Sequence, residues 1–291
     1  MVDHFIHGWW SPAIAYAVSF TGSLVGLLVA ERARITTGNA RLMWIVLGAF
    51  SIGAAAIWAM HFIAMMGFSV SGTPIRYDVG LTIVSGALAV VVVGVGLFIA
   101  IIWRHLGGLL LGGAITGTGA VIMHYIGMAS IRMDAQMSHE PLYIAAAVAI
   151  ALVAATAALW FALHVRGGLA MTGASLLMAA AVCSMHYVGM MGVQVDMDST
   201  TGELPSGATA TDFFLPLLVG LTLLLMVIGL ILMLSPNEKE MREDEELRQR
   251  ISRKSATGAA RPGSAFTPVA NGHDRDATGS HRHAPDHSAR P

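Results

Sequence analysis

The chain has 291 residues, of which 55% are apolar and only 12% charged, with a formal net charge of −1. Most of that charge follows residue 234. This composition excludes an ordinary soluble domain, makes the lipid bilayer the expected partner and gives no case for nucleic acid.

Residues 1–8 contain no Lys or Arg, so no cleavable signal peptide is expected, and this segment reads as a short external N-terminus. A membrane span needs about 20 mostly apolar residues. Seven windows qualify: 9–30, 42–66, 79–103, 107–128, 142–164, 168–190 and 213–234. The segments between them carry turn and charge signals, such as "SGTPIRYD" at 71–78 and "DMDSTTGELPSG" at 196–207. Backbone polar groups must be satisfied internally in lipid, which makes each window a helix. The expected fold is therefore all-α, a polytopic seven-helix membrane domain over residues 9–234. Glycine is frequent (32 residues), as expected where helix backbones approach closely.

Orientation follows from Lys and Arg in short loops. With the N-terminus outside, the inner loops hold Arg32, Arg34, Arg41, Arg104 and Arg166, and the outer loops only Arg76 and Arg132. The expectation is a multi-pass plasma-membrane protein with its C-terminus in the cytoplasm. Residues 235–254 read as a charged cytoplasmic helical stub, supported by the i,i+4 pairs Glu238–Arg242 and Glu246–Arg250. Residues 255–291 are rich in Ala, Gly, Pro, Ser and His and read as a disordered tail. Its His273, His281, His283 and His287 are at most loose metal ligands. The single cysteine, Cys183, allows no intrachain disulfide.

One string recurs inside the spans: "WAMHFIAMMG", "AVIMHYIGMA" and "CSMHYVGMMG". The copies begin at Met60, Met123 and Met185, 63 and 62 residues apart, a period that fits a helix hairpin. The membrane domain thus reads as three helix-hairpin repeats plus a seventh helix. All three copies lie near the C-terminal ends of helices two, four and six, at one depth near the outer surface.

Positions i and i+4 share a helix face. His61 therefore pairs with Met65, His124 with Met128 and His186 with Met190. The preceding Met60, Met123 and Met185 lie about a quarter turn round and have the torsional freedom to swing in. Imidazole with thioether is a soft N/S donor set that suits copper, above all Cu(I), rather than Mg²⁺, Ca²⁺ or structural Zn²⁺. Tyr125 and Tyr187 add phenols that can hydrogen-bond, ligate or take part in redox chemistry. Cys183 shares a face with His186 but has no counterpart in the other copies, where Trp58 and Val121 stand. Methionine is a common gap-filler and a lone buried histidine is more often a packing residue. Three ionisable groups at one depth, each with the same sulphur companion, weigh toward function instead. Spacing leaves open whether the histidines share one metal or hold separate ones.

With these residues in place, the triplicated Met-His-Tyr pattern within seven spans resembles the MHYT-domain family of bacterial integral membrane proteins. The resemblance covers about residues 10–235. It implies a sensory module that binds copper through Met, His and Tyr and detects oxygen, carbon monoxide or nitric oxide. The implied ligands are Met60, His61, Met123, His124, Met185 and His186, with Met65, Met128 and Met190 as further sulphur donors. Two departures stand out. Ile63, Ile126 and Val188 replace the family's threonine, and Phe62 replaces the first tyrosine. Family members often end in a diguanylate cyclase, phosphodiesterase or kinase domain, and no such motif follows residue 235. The expected function is a metal-dependent sensor of a diatomic gas or redox state, not an enzyme, that signals to a separate cytoplasmic partner. Copper transport or handling is the alternative and haem ligation by two histidines the third. A retinal protein is excluded because Lys239 and Lys254 are the only lysines.

Overall fold

The structure is a computed structural model, and it describes residues 2–3, 8–196, 205–235, 243 and 246–252. Among these, seven helices are long and apolar enough to cross a membrane: α1 (Trp10–Ile35), α2 (Gly38–Met65), α3 (Val79–Ile102), α4 (Leu106–Ala129), α5 (Pro141–His164), α6 (Gly168–Met191) and α7 (Ala210–Leu234). Each differs from its expected window by only a few residues. The protein is a seven-span all-α membrane protein. Its outward faces carry large apolar side chains such as Ile83, Val91, Phe98, Leu223 and Leu230, which only an apolar solvent tolerates in such number.

Helices α1 to α6 pack in sequence order into a ring that closes where α6 meets α1, and α7 lies outside against α1 and α2. Small residues set the spacing between neighbours. A Cβ on Gly53 of α2 would lie 2.7 Å from the Ala89 carbonyl of α3, and one on Gly117 of α4 would lie 2.8 Å from the Ala151 carbonyl of α5. At such crossings backbone touches backbone, and van der Waals packing replaces the hydrophobic effect that lipid cannot supply.

Helix α2 departs from the other two motif helices. Residues Phe50–Ala59, directly before Met60, form a π-helix. Its i→i+5 bonds wind more residues into each turn. Helix α2 has 28 residues where α4 and α6 have 24, and the π segment absorbs part of that excess.

The loops at one end of the bundle are tied by short antiparallel ladders, a feature that apolar periodicity does not reveal. They are β1 (Val2–Asp3) with β2 (Ser69–Val70), β3 (Arg76–Tyr77) with β4 (Ile131–Arg132), and β5 (Gln136–His139) with β6 (Val193–Asp196). We call this the ladder end. There Asp78 caps α3 by accepting from the Leu81 N–H at 3.1 Å and receives the Arg132 guanidinium at 2.8 Å. The Arg132 hydrogen bond, together with the Leu81 N–H, holds the Asp78 carboxyl below its ordinary range. The opposite end carries Arg32, Arg34, Arg41, Arg104 and Arg166. Arg32 donates to the Ser235 carbonyl at 3.0 Å and Arg34 to that of Val165 at 3.2 Å.

The chain divides into two units, Met1–Glu238 and Lys239–Pro291. In the second, residues 246–252 are helical, and Arg250 lies 4.0 Å from Glu246 in the expected i,i+4 pairing. The expected Glu238–Arg242 pair, the disordered tail and its histidines lie outside the described residues.

Candidate metal centre

Helices α2, α4 and α6 bring His61, His124 and His186 together at one depth, one to two turns from the ladder end. All three side chains are buried, at 1%, 0% and 1% exposure. His61 Nδ1 lies 2.9 Å from His186 Nδ1 and 3.2 Å from His124 Nδ1. One ligand nitrogen from each ring can be chosen so that all three fall within 4.8 Å of one another. The rings meet edge to face, with centroids 4.8, 4.9 and 5.2 Å apart.

Two of the imidazoles are held by an interlock between repeats. A Cβ on Gly127 would lie 2.5 Å from His61 Nε2, and one on Gly189 would lie 2.8 Å from His124 Nε2. Each of these rings therefore nests on the glycine three residues after the next helix's histidine. The equivalent position of the first copy is Ala64. Both Nε2 atoms are buried without a hydrogen-bond partner among the described residues. Leaving a buried polar atom unpaired costs about 1–3 kcal/mol, so the interlock fixes ring direction at the expense of hydrogen bonding.

The two sets of methionines behave differently. Met65, Met128 and Met190 converge in one buried cluster with Phe68, Val70 and Val193. They form a sulphur layer one turn beyond the histidines, toward the ladder end. Met60, Met123 and Met185 are equally buried but dispersed. Met60 packs with Ala15, Ala64 and Cys183, whereas Met123 and Met185 join the main core. The structure thus gathers three histidines and three following methionines, and it seats Cys183 with Met60 rather than in the triad.

The phenol positions diverge for a packing reason. Phe62 is wholly buried, with Phe214 at 5.1 Å, Trp58 at 5.6 Å and Tyr77 at 6.2 Å. Its Cζ faces α4, 3.4 Å from where a Cβ on Gly127 would lie, so a phenol oxygen there would press into that helix, which accounts for phenylalanine in the first copy. Tyr125 and Tyr187 each stack edge-on to the preceding histidine, at 4.9 and 5.0 Å. The Tyr125 hydroxyl is buried without a hydrogen-bond partner among the described residues.

One residue of this region was not foreseen. His139 of β5 sits edge-on to Tyr125 at 5.1 Å, with Nε2 buried and without a hydrogen-bond partner among the described residues. Burial holds its imidazole below the usual histidine range. The signal in the sequence was the alternation in "QMSH", which puts Met137 and His139 on one face of a strand.

The chemistry of the donor set fits a soft metal. Imidazole nitrogens sharing a metal through bonds of about 2.0 Å lie roughly 3.3 Å apart, close to the separations around His61. Without a cation, each Nδ1···Nδ1 contact needs one N–H facing one lone pair, and His61 Nδ1 must serve two such contacts. A cation takes all three lone pairs at once.

The family pattern described as "MHYT: Bacterial signalling protein N terminal repeat" matches residues 55–113 and 117–179. The bifunctional diguanylate cyclase/cyclic di-GMP phosphodiesterase MucR of Pseudomonas aeruginosa is 34% identical over 239 residues, 79% of this chain and 34% of that protein. The cyclic di-GMP phosphodiesterase NbdA of the same organism is 33% identical over 198 residues, 65% of this chain and 25% of that protein. The signaling protein YkoW of Bacillus subtilis is 27% identical over 195 residues, 64% of this chain and 24% of that protein. The chain thus spans 24–34% of the length of these relatives. No solved structure matches. The chain belongs to the MHYT family of membrane signalling proteins.

Proposed function

We propose that this MHYT-family membrane domain is a copper-dependent sensor of a diatomic gas or of redox state. The observation that carries the reading is the convergence of His61, His124 and His186 on one buried point beneath three methionine sulphurs. The three Nδ1 atoms would hold the metal, and Met65, Met128 and Met190 would supply soft donors from the ladder side. Copper supplies affinity for oxygen, carbon monoxide and nitric oxide and a one-electron couple. The chain's own residues exclude water, fix the rings through Gly127 and Gly189, and place the Tyr125 phenol beside His124.

A route for an apolar gas supports the reading. A small apolar cavity of about 50 Å³ lies among α1, α2, α4, α5 and α6, lined by alanines and touching Met185. Ala154, Met178 and Ala181 line both this cavity and a groove on the outer surface of α5 and α6. Dry apolar cavities admit small apolar solutes, and these gases dissolve well in lipid.

Transmission needs an element with two arrangements. The π segment before His61 is such an element, because conversion of Phe50–Ala59 to α-helix would turn His61 relative to the rest of α2. The excess of arginine at the far end supports a topology with the N-terminus and the ladder end outside and the C-terminus in the cytoplasm. Two of the relatives bear names of cyclic di-GMP enzymes, and we assign the output to a signalling enzyme of that class on the cytoplasmic side.

Copper transport is less well supported, because the far end shows no matching donor tier among the described residues. His105 caps α4 by accepting from the Gly108 N–H at 3.2 Å, and His164 stacks on Trp160 at 4.9 Å. Haem is disfavoured by space, since three rings this close leave no slot for a macrocycle. Infrared spectra of the reduced, copper-loaded protein under carbon monoxide test the sensor reading. A copper-bound carbonyl band is expected, absent in His124→Ala. A spectrum indifferent to carbon monoxide, nitric oxide and oxygen would overturn it.

A further inference from the structure

A second group of soft donors lies outside the triad, at the ladder end. An open cleft of about 880 Å³ is lined by Tyr125, Met128, Met133, Met137 and His139 among others. Met137 and His139 alternate with the exposed Gln136 and Ser138 along β5, so both turn inward on one face. Met133 and Met137 pack against the cluster that holds Met65, Met128 and Met190. His139 reaches His124 through Tyr125, with ring separations of 5.1 and 4.9 Å. The cleft thus adjoins the sulphur layer directly and the triad through the Tyr125 ring. Met128 belongs to both, since it lines the cleft and forms part of the sulphur layer.

The charges around the cleft permit a cation. Arg132 also lines it, but its guanidinium is engaged by Asp78 at 2.8 Å. Asp134 adds one carboxylate. A single carboxylate among thioethers and an imidazole favours a soft cation over Mg²⁺ or Ca²⁺, which need several oxygens.

We infer that Met133, Met137 and His139 form an entry site that captures a soft monovalent cation, Cu(I) or its analogue Ag(I), and passes it by Met128 to the histidine triad. The transfer is ligand exchange without redox: thioether replaces thioether as far as Met128, imidazole nitrogens replace thioether at the triad, and the protons on the triad's Nδ1 atoms shift to Nε2 of the same rings as the cation arrives. The inference rests on the reading of the triad as a metal centre, but its site is made of different residues and can fail separately.

The test is titration of the detergent-purified full chain with Ag(I), and with Cu(I) against a competing chelator under reducing conditions. The wild type is expected to take up one tight and one weaker equivalent. Met133→Leu/Met137→Leu/His139→Asn should lose the weaker equivalent and fill the tight one at least tenfold more slowly in stopped flow. His61→Ala should keep the weaker equivalent and lose the tight one. Leucine conserves the volume of methionine; His139→Asn alone gives the same readout should the triple variant fail to fold. A cleft variant with both equivalents and the wild-type loading rate overturns the inference and leaves the triad reading standing. A wild type whose only equivalent survives His61→Ala and vanishes in the cleft variant overturns the triad reading and the delivery step with it, leaving a cleft that binds metal for its own sake. Uptake of no metal at all overturns both.

Discussion

The Nδ1 atoms of His61 and His186 lie 2.9 Å apart although 125 residues separate them in the chain. Neither residue could hold this position alone. Each imidazole is aimed by its own helix, and those of His61 and His124 are confined by Gly127 and Gly189 of the next motif helix, so the site draws on all three repeats.

Gly127→Ala and Gly189→Ala should each weaken copper binding by about 10–100-fold, the range seen when residues that orient metal ligands are altered. Alanine is the better helix former by about 1 kcal/mol, so the loss cannot come from a weaker helix. Chelator competition measures the affinity, and circular dichroism should show helix content unchanged. Equal affinity in both variants would remove the interlock from the account.

Phe62→Tyr should destabilise the protein by about 1–3 kcal/mol, since the added hydroxyl would be buried without a partner. Tyr125→Phe removes a hydroxyl that already lacks one and should leave stability unchanged or slightly raised. Thermal unfolding in detergent reads both. A stabilised Phe62→Tyr variant would contradict the aromatic packing described for the first copy.

Xenon should occupy the alanine-lined cavity beside Met185, detected as a bound-state shift in xenon resonance. Ala181→Leu at its edge should abolish that shift. The same variant should slow carbon monoxide association by several-fold while leaving copper content unaltered. Unchanged association would mean that gas reaches the site another way.

The Asp78–Arg132 pair predicts an acid limb in stability. The folded Asp78 carboxyl titrates below its unfolded value of about 3.9, so its contribution is complete above that value. It is lost as pH falls through the folded pKa. Arg132→Gln should flatten this limb, measured as unfolding temperature between about pH 2 and pH 5. A variant with the same acid dependence as the wild type would show that the pair contributes nothing.

Much of this architecture was legible in the sequence, because its physics is local. Twenty apolar residues make a span wherever they occur, and i,i+4 spacing puts His124 over Met128 in any helix. The common depth of the histidines followed from the near-constant period. What was not legible depends on the neighbouring helix. Met60 and Met65 flank the same histidine, yet only the packing of α2 against its neighbours sends Met65 to the sulphur layer and Met60 to Cys183. The π segment of α2 is invisible to apolar periodicity because every face there is apolar. The cleft required the β5–β6 pairing, which joins residues 136–139 to 193–196. Without that register, "QMSH" read only as a loop.

The central claim is that three histidines hold one metal. It is tested most directly by elemental analysis of purified, copper-loaded protein after exposure to a chelator, combined with X-ray absorption at the copper edge. The account predicts one retained copper per chain, a shell dominated by imidazole nitrogen, and loss to background in any one of His61→Ala, His124→Ala or His186→Ala. Retention of no copper by the wild type, or a full equivalent in any single-histidine variant, would contradict it.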